Sequence, residues 1–152
     1  MKQLLALFVL LLTGLGCQPA TDSPGINFYL QLIRGNDQDT PPIADAKPIG
    51  PKLSEKLRSV CKWKSYWELK RDSVVVKPGQ TVRKRLSPER EVEIELWDSQ
   101  RMATRIYTNG KLTRSRTQPA EAAFFIAGGD KGEHQSWFIV VRRDRPLDPE
   151  AD

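Results

Sequence analysis

The chain has only two cysteines and one histidine in 152 residues. That excludes a disulfide-framed miniprotein and leaves too few soft donors for a His- or Cys-based metal site. It has one long apolar run, residues 4–12, which excludes a multi-span helical membrane protein. It lacks a phosphate-binding glycine loop, a dinucleotide fingerprint and a Gly-x-Ser-x-Gly elbow. The segment Gly128-Gly129-Asp130-Lys131-Gly132 is not followed by the Lys-Ser/Thr and helix that such loops require. There is no internal repeat and no low-complexity segment. The length suits one domain, and 24 Lys plus Arg against 19 Asp plus Glu leave a formal charge of +5.

What is present begins at the N-terminus. Met1-Lys2-Gln3 is a short basic start, residues 4–12 are apolar, and Gly14 and Gly16 put small residues at the −3 and −1 positions before Cys17. This is the layout of an export signal. As a helix the nine apolar residues rise only about 13 Å against a hydrocarbon core of about 30 Å, too short for a stable span. Residues 1–16 are therefore expected to be a signal peptide removed on export.

The stretch Leu12-Thr13-Gly14-Leu15-Gly16-Cys17 resembles the bacterial lipobox, whose cysteine receives a diacylglycerol and becomes the new N-terminus. It departs from that pattern at Gly14 and Leu15. An ordinary signal peptide with a cysteine beside its cleavage site is the competing reading. The resemblance implies Cys17 as a lipid attachment site and a membrane partner through that anchor. The polar residues that follow, up to Gly25, read as a flexible tether. Several acyl chains on one cysteine, each contributing about 0.8 kcal/mol per buried methylene, would make attachment effectively permanent.

Residues 26–143 are expected to form a single, mainly β domain of α+β class: an antiparallel sheet, curled or sandwich-like, with one amphipathic helix packed on it. Ile26, Phe28, Leu30 and Leu32 alternate along one strand. Residues 34–50, with Gly35, Pro41-Pro42 and Pro48, read as an exposed connection. Over 52–61, Leu53, Leu57, Val60 and Cys61 follow helical spacing. Strands are expected over 66–70, 73–76, 81–86, 91–96, 102–108, 111–117, 123–127 and 136–142, with the last two central because they are apolar on both faces. Residues 144–152 should fray as a disordered tail.

Asn109-Gly110 signals a two-residue type I′ hairpin, which needs positive φ at both positions. An unbroken register would set Arg105 opposite Arg114. Pairing Leu96 with Met102 would set Glu93 opposite Arg105 and line Glu91, Glu93 and Glu95 beside Arg105, Arg114 and Arg116. This reads as a charge-balanced solvent face, with a docking strip as the alternative.

Few residues carry chemistry. A Cys61–His134 nucleophile pair is weak, because Cys61 falls on an apolar helix face. No catalytic residue, metal site or cofactor is assigned. Lys62, Trp63, Lys64, Trp67, Lys70 and Arg71 interleave basic and aromatic side chains and could bind a polyanion by stacking and charge. The competing reading makes Trp63 and Trp67 core caps. Nucleic acid is not an expected partner of an exported protein; anionic glycan, lipopolysaccharide or lipid headgroups would be.

Four stretches, Gln31-Leu32-Ile33-Arg34-Gly35-Asn36-Asp37, Lys47-Pro48-Ile49-Gly50-Pro51-Lys52-Leu53, Lys62-Trp63-Lys64-Ser65-Tyr66-Trp67-Glu68 and Phe125-Ile126-Ala127-Gly128-Gly129-Asp130, resemble an uncharacterised family of small exported proteins from Verrucomicrobia-type bacteria. The resemblance covers most of the mature chain and brings no activity, cofactor or catalytic residue. The closing pattern of apolar strand, Gly-Gly, polar loop and apolar strand is similar to that of secretin-type envelope proteins, and pattern alone establishes no function. The expectation is a lipid-anchored, non-catalytic structural, assembly or binding protein of a bacterial envelope. The alternatives are a polyanion-binding protein and an enzyme with no recognisable site.

Overall fold

The computed structural model describes residues 23–122, 124–130, 132 and 134–147. The expected signal peptide, Cys17 and most of the tether lie outside the described residues, as do residues 148–152 of the expected tail. Residues 144–147 are described, and Pro146 is buried.

Among the described residues, nine strands and one helix follow in the order β1 (Ile26–Asn36), β2 (Lys47–Pro48), α1 (Pro51–Arg58), β3 (Ser65–Val76), β4 (Gln80–Arg85), β5 (Arg90–Leu96), β6 (Arg101–Thr108), β7 (Lys111–Pro119), β8 (Phe124–Asp130) and β9 (Gln135–Arg142). They form two sheets, β2-β3-β1-β9-β8 and β4-β5-β6-β7, and the strand pairs are antiparallel. The expected α+β class, mainly antiparallel sheet with one helix, is what the chain adopts.

Alternation explains the layering. Phe28, Leu30 and Leu32 of β1, Val74 and Val76 of β3 and Ile139 and Val141 of β9 meet Val92, Ile94, Leu96, Met102 and Ile106 of the second sheet in one core. The opposite face of the first sheet offers Ile33, Tyr66, Phe138 and Val140 to Leu53 and Leu57 of α1. The first sheet is thus covered on both sides, and its strands β1 and β9 read as nearly continuous apolar runs. Each fully buried aliphatic side chain contributes roughly 1.5–3 kcal/mol. Of the last two strands only β9 is interior, beside β1. β8 is an edge strand, apolar on both faces because the core and the helix-side cluster extend beneath and above it.

Three local expectations are corrected. The stretches 66–70 and 73–76 are one strand, β3, in which Leu69 is an extra residue against the Leu32/Ile33 step of β1. This bulge shifts the side-chain alternation, so Glu68 and Arg71 share the helix-side face and their side chains meet at 2.9 Å.

The helix ends at Arg58. Pro51 begins it, where a missing N–H costs nothing. Past Arg58 the N–H groups of Val60 and Cys61 both donate to the Leu57 carbonyl, and Ser59 Oγ donates to Lys56 O. Val60 is consequently exposed and Cys61 half-buried. Tyr66 donates its hydroxyl to the Cys61 carbonyl, tying this turn to β3.

Asn109 and Gly110 do have positive φ, 50° and 76°, but the hairpin register slips by one residue beyond the turn. Thr113 is bulged, its hydroxyl donating to Ile106 O at 3.2 Å. Arg105 therefore faces Ser115, and Arg114 faces Ile106. The slip separates two like charges and turns Arg114 and Arg116 toward the sandwich side of the outermost strand, where charge discourages edge-to-edge pairing. The Leu96–Met102 pairing stands. Arg105 bridges Glu93 (2.9 Å) and Glu95 (2.6 Å), while Glu91 pairs with Arg83 and Arg85 of β4 instead of with β7.

Candidate functional site

The apolar ladders of the sandwich end in polar groups at one end of the molecule. On β1 the core-facing series Phe28, Leu30, Leu32 continues to Arg34; on β5 the series Leu96, Ile94, Val92 continues to Arg90; on β9 Val141 and Ile139 continue to Trp137. Residues two apart share a face, so two arginines from opposing sheets are directed into the same interlayer space. Across the first sheet, Trp67, Arg34, Trp137 and Gly129 form one cross-strand row. Gly129 leaves room there for the indole, since a Cβ would stand 3.0 Å from the Trp137 ring nitrogen and press on it.

The turn before β5 fixes Arg90. Pro88 presets its own φ, the Arg90 N–H donates to the Ser87 carbonyl (3.2 Å) and to its hydroxyl (3.1 Å), and the Glu89 N–H also donates to that hydroxyl. Between this turn and the ends of β1 and β9 lies an open-sided cleft of about 200 Å³. Arg34, Arg90, Glu89 and Ser87 supply polar walls, and Leu32, Leu69, Pro88 and Trp137 much of the apolar surface.

The Arg90 side chain is only 9% exposed. Its guanidinium carbon lies 4.3 Å from the Trp137 ring centroid, a cation–π distance. One amino group reaches Glu89 at 3.1 Å, while its Nε–H is buried with no partner among the described residues. Burial pushes the Arg90 guanidinium below its ordinary value; Glu89 counteracts this, and the like charge of Arg34 adds to it. Arg34 is half-buried, and among the described residues no carboxylate pairs with it. The cleft thus brings two guanidinium groups together beside an apolar wall, a combination suited to holding an anion.

The six residues of the expected basic–aromatic surface do not share a face. Trp63 is half-buried over Gly35 and beside Tyr66 on the helix side. Trp67 is 9% exposed and belongs to the sandwich side of the sheet. Lys62 and Lys64 are exposed, and Lys64 pairs with Asp39 at 2.6 Å. Lys70 reaches the Arg85 carbonyl of the other sheet at 3.3 Å. Arg71, on the helix side, bonds Glu68. The two tryptophans therefore pack against opposite faces of one sheet, and no joint stacking platform forms. His134 is exposed and Cys61 half-buried. Among the described residues no group of three His, Cys, Asp or Glu side chains is placed to hold a metal ion, and no helix is long and apolar enough to cross a membrane.

Sequence reasoning passed over Arg34 and Arg90 because each reads as the punctuation of a strand. The signal that would have found them is parity: each lies two residues beyond a buried aliphatic residue, on its face. Compared with protein-family models, curated proteins and solved structures, the chain matches none.

Proposed function

We propose that the protein is a non-catalytic binding module of a bacterial cell envelope, held at the membrane by acyl chains on Cys17, which captures an anionic group between its two sheets. The observation that carries the reading is Arg90, a guanidinium nine-tenths buried whose Nε–H has no partner among the described residues. Burying such a donor unpaired is costly, and an arriving anion would offset the cost. Guanidinium groups donate hydrogen bonds and do not accept protons near neutrality, so the cleft suits recognition better than acid–base chemistry.

The topology supports the anchored geometry. The described chain enters β1 at Ile26, and Arg34 is eight residues further along the strand, about 26 Å away at 3.3 Å per residue. A tether attached before Ile26 joins the domain at the end of β1 remote from the cleft, so the anchor leaves the cleft unobstructed. The export signal, Cys17 and the resemblance to small exported proteins agree with this placement.

The test uses the full chain and Cys17→Ser in a Gram-negative host, with membrane fractionation and melting in acetate, sulfate and phosphate. Membrane-bound wild type, soluble Cys17→Ser and saturable stabilisation by at least one anion are expected. Unchanged fractionation of the variant, or no anion effect, overturns the corresponding half of the reading.

A further inference from the structure

Resting on that reading, we infer that the cleft takes a monoanionic carboxylate carrying a compact apolar group, supplied by a free small acid or by the C-terminal residue of a polypeptide. Three observations lead there. Among the described residues, the charged side chains lining the cleft are Arg34, Arg90 and Glu89, so an anion bound there meets two guanidinium groups and one carboxylate. A carboxylate brings one negative charge beside the Glu89 carboxylate, where a dianionic phosphate would bring two.

The volume and the wall select the rest of the ligand. A cavity of about 150 Å³ holds a benzene ring, so about 200 Å³ accommodates an apolar group of that size with its carboxylate. Leu32, Leu69 and Trp137 provide the surface that such a group would cover. The guanidinium of Arg90 lies over Trp137 and keeps its Nε–H buried and unpartnered, and Arg34 on the facing strand supplies a second fork. Paired N–H donors of this kind match the two oxygens of one carboxylate.

The cleft lies at the end of β1 remote from the tether, about 26 Å from Ile26. A ligand that is free or carried by another protein can reach it there.

The experiment is calorimetric titration of the full-length mature protein with 4-methylpentanoate, 4-methylpentanamide, inorganic phosphate and acetyl-Gly-Gly-Leu. The acid should bind saturably. The isosteric amide should bind roughly tenfold or more weakly, since it loses charge-assisted hydrogen bonds, and phosphate should be weaker than the acid. Arg34→Gln should weaken the acid by roughly tenfold to a hundredfold with an unchanged melting temperature, because Arg34 has no ion pair among the described residues. A tripeptide that binds more tightly than the free acid identifies a polypeptide terminus as the source; equal or weaker binding identifies the free acid. Equal affinity for acid and amide overturns the inference. Binding of phosphate without the carboxylate overturns it too, yet leaves the anion-binding reading standing. Silence with every anion removes both.

Discussion

Replacing Arg90 with methionine separates a residue kept for binding from one kept for stability. Methionine fills the aliphatic path of the arginine and removes the guanidinium from a site where it is only 9% exposed. Two favourable contacts are lost. The stack on Trp137 at 4.3 Å is worth about 0.5–2 kcal/mol. The pair with Glu89, whose own side chain is 46% exposed, contributes about 0–1 kcal/mol, and Glu89 remains solvated without it. Against these losses, the buried and unpartnered Nε–H costs about 1–3 kcal/mol, and the repulsion from Arg34 disappears. The balance lies near zero, with a stabilisation of up to about 1 kcal/mol as the expected result. The assay is urea unfolding of wild type and Arg90→Met, followed by tryptophan fluorescence, with equal slopes required for the comparison. Destabilisation beyond about 2 kcal/mol, the range of ordinary core truncations, would show that Arg90 is a structural strut and refute the reasoning. Gained or unchanged stability with loss of anion binding is the signature of a site that trades stability for function.

Other consequences are as direct. Trp67→Ala should cost about 3–5 kcal/mol as a buried aromatic truncation, whereas charge reversal at Lys62 and Lys64 should cost about 1 kcal/mol or less, since the Lys64–Asp39 pair is exposed on both sides; chemical unfolding of the variants decides. Gly110→Val should destabilise by at least about 1 kcal/mol, because φ is +76° there, and an unchanged midpoint would contradict the turn. The hydrogen bonds from Arg85 and Arg83 hold the Glu91 carboxyl below its ordinary value, and Arg105 does the same for Glu95. A lowered folded-state value means that the contribution is full above the unfolded glutamate value and is lost as pH falls through the folded one. The melting temperature should therefore fall on acidification, less steeply in Glu91→Gln; parallel pH profiles would refute this.

The elements that could be read from sequence are those whose physics is local. Alternation from Ile26 to Leu32 and the left-handed demands of Asn109-Gly110 are written in neighbouring residues. The bulges at Leu69 and Thr113 are not, because nothing in the composition of either strand marks an unpaired residue; each is decided by what the opposing strand needs to bury. Val60 and Cys61 fit helical spacing but lie beyond Ser59, where the turn closes on Leu57 O. The place of β8 at an edge depends on strand order, which periodicity does not encode. The cleft escaped for a related reason. Arg34 and Arg90 are far apart in sequence, and only the packing of two sheets brings their strand ends together around Trp137.

The most direct test of an anion-binding cleft is to observe the arginine Nε–H groups themselves. In ¹⁵N-labelled protein titrated with 4-methylpentanoate, the Arg90 Nε–H resonance should move to saturation and its exchange with water should slow, with Arg34 following the same curve, while exposed Arg101 stays in place. An unmoved Arg90 resonance, or equal drift of all arginines with ionic strength, would contradict the account.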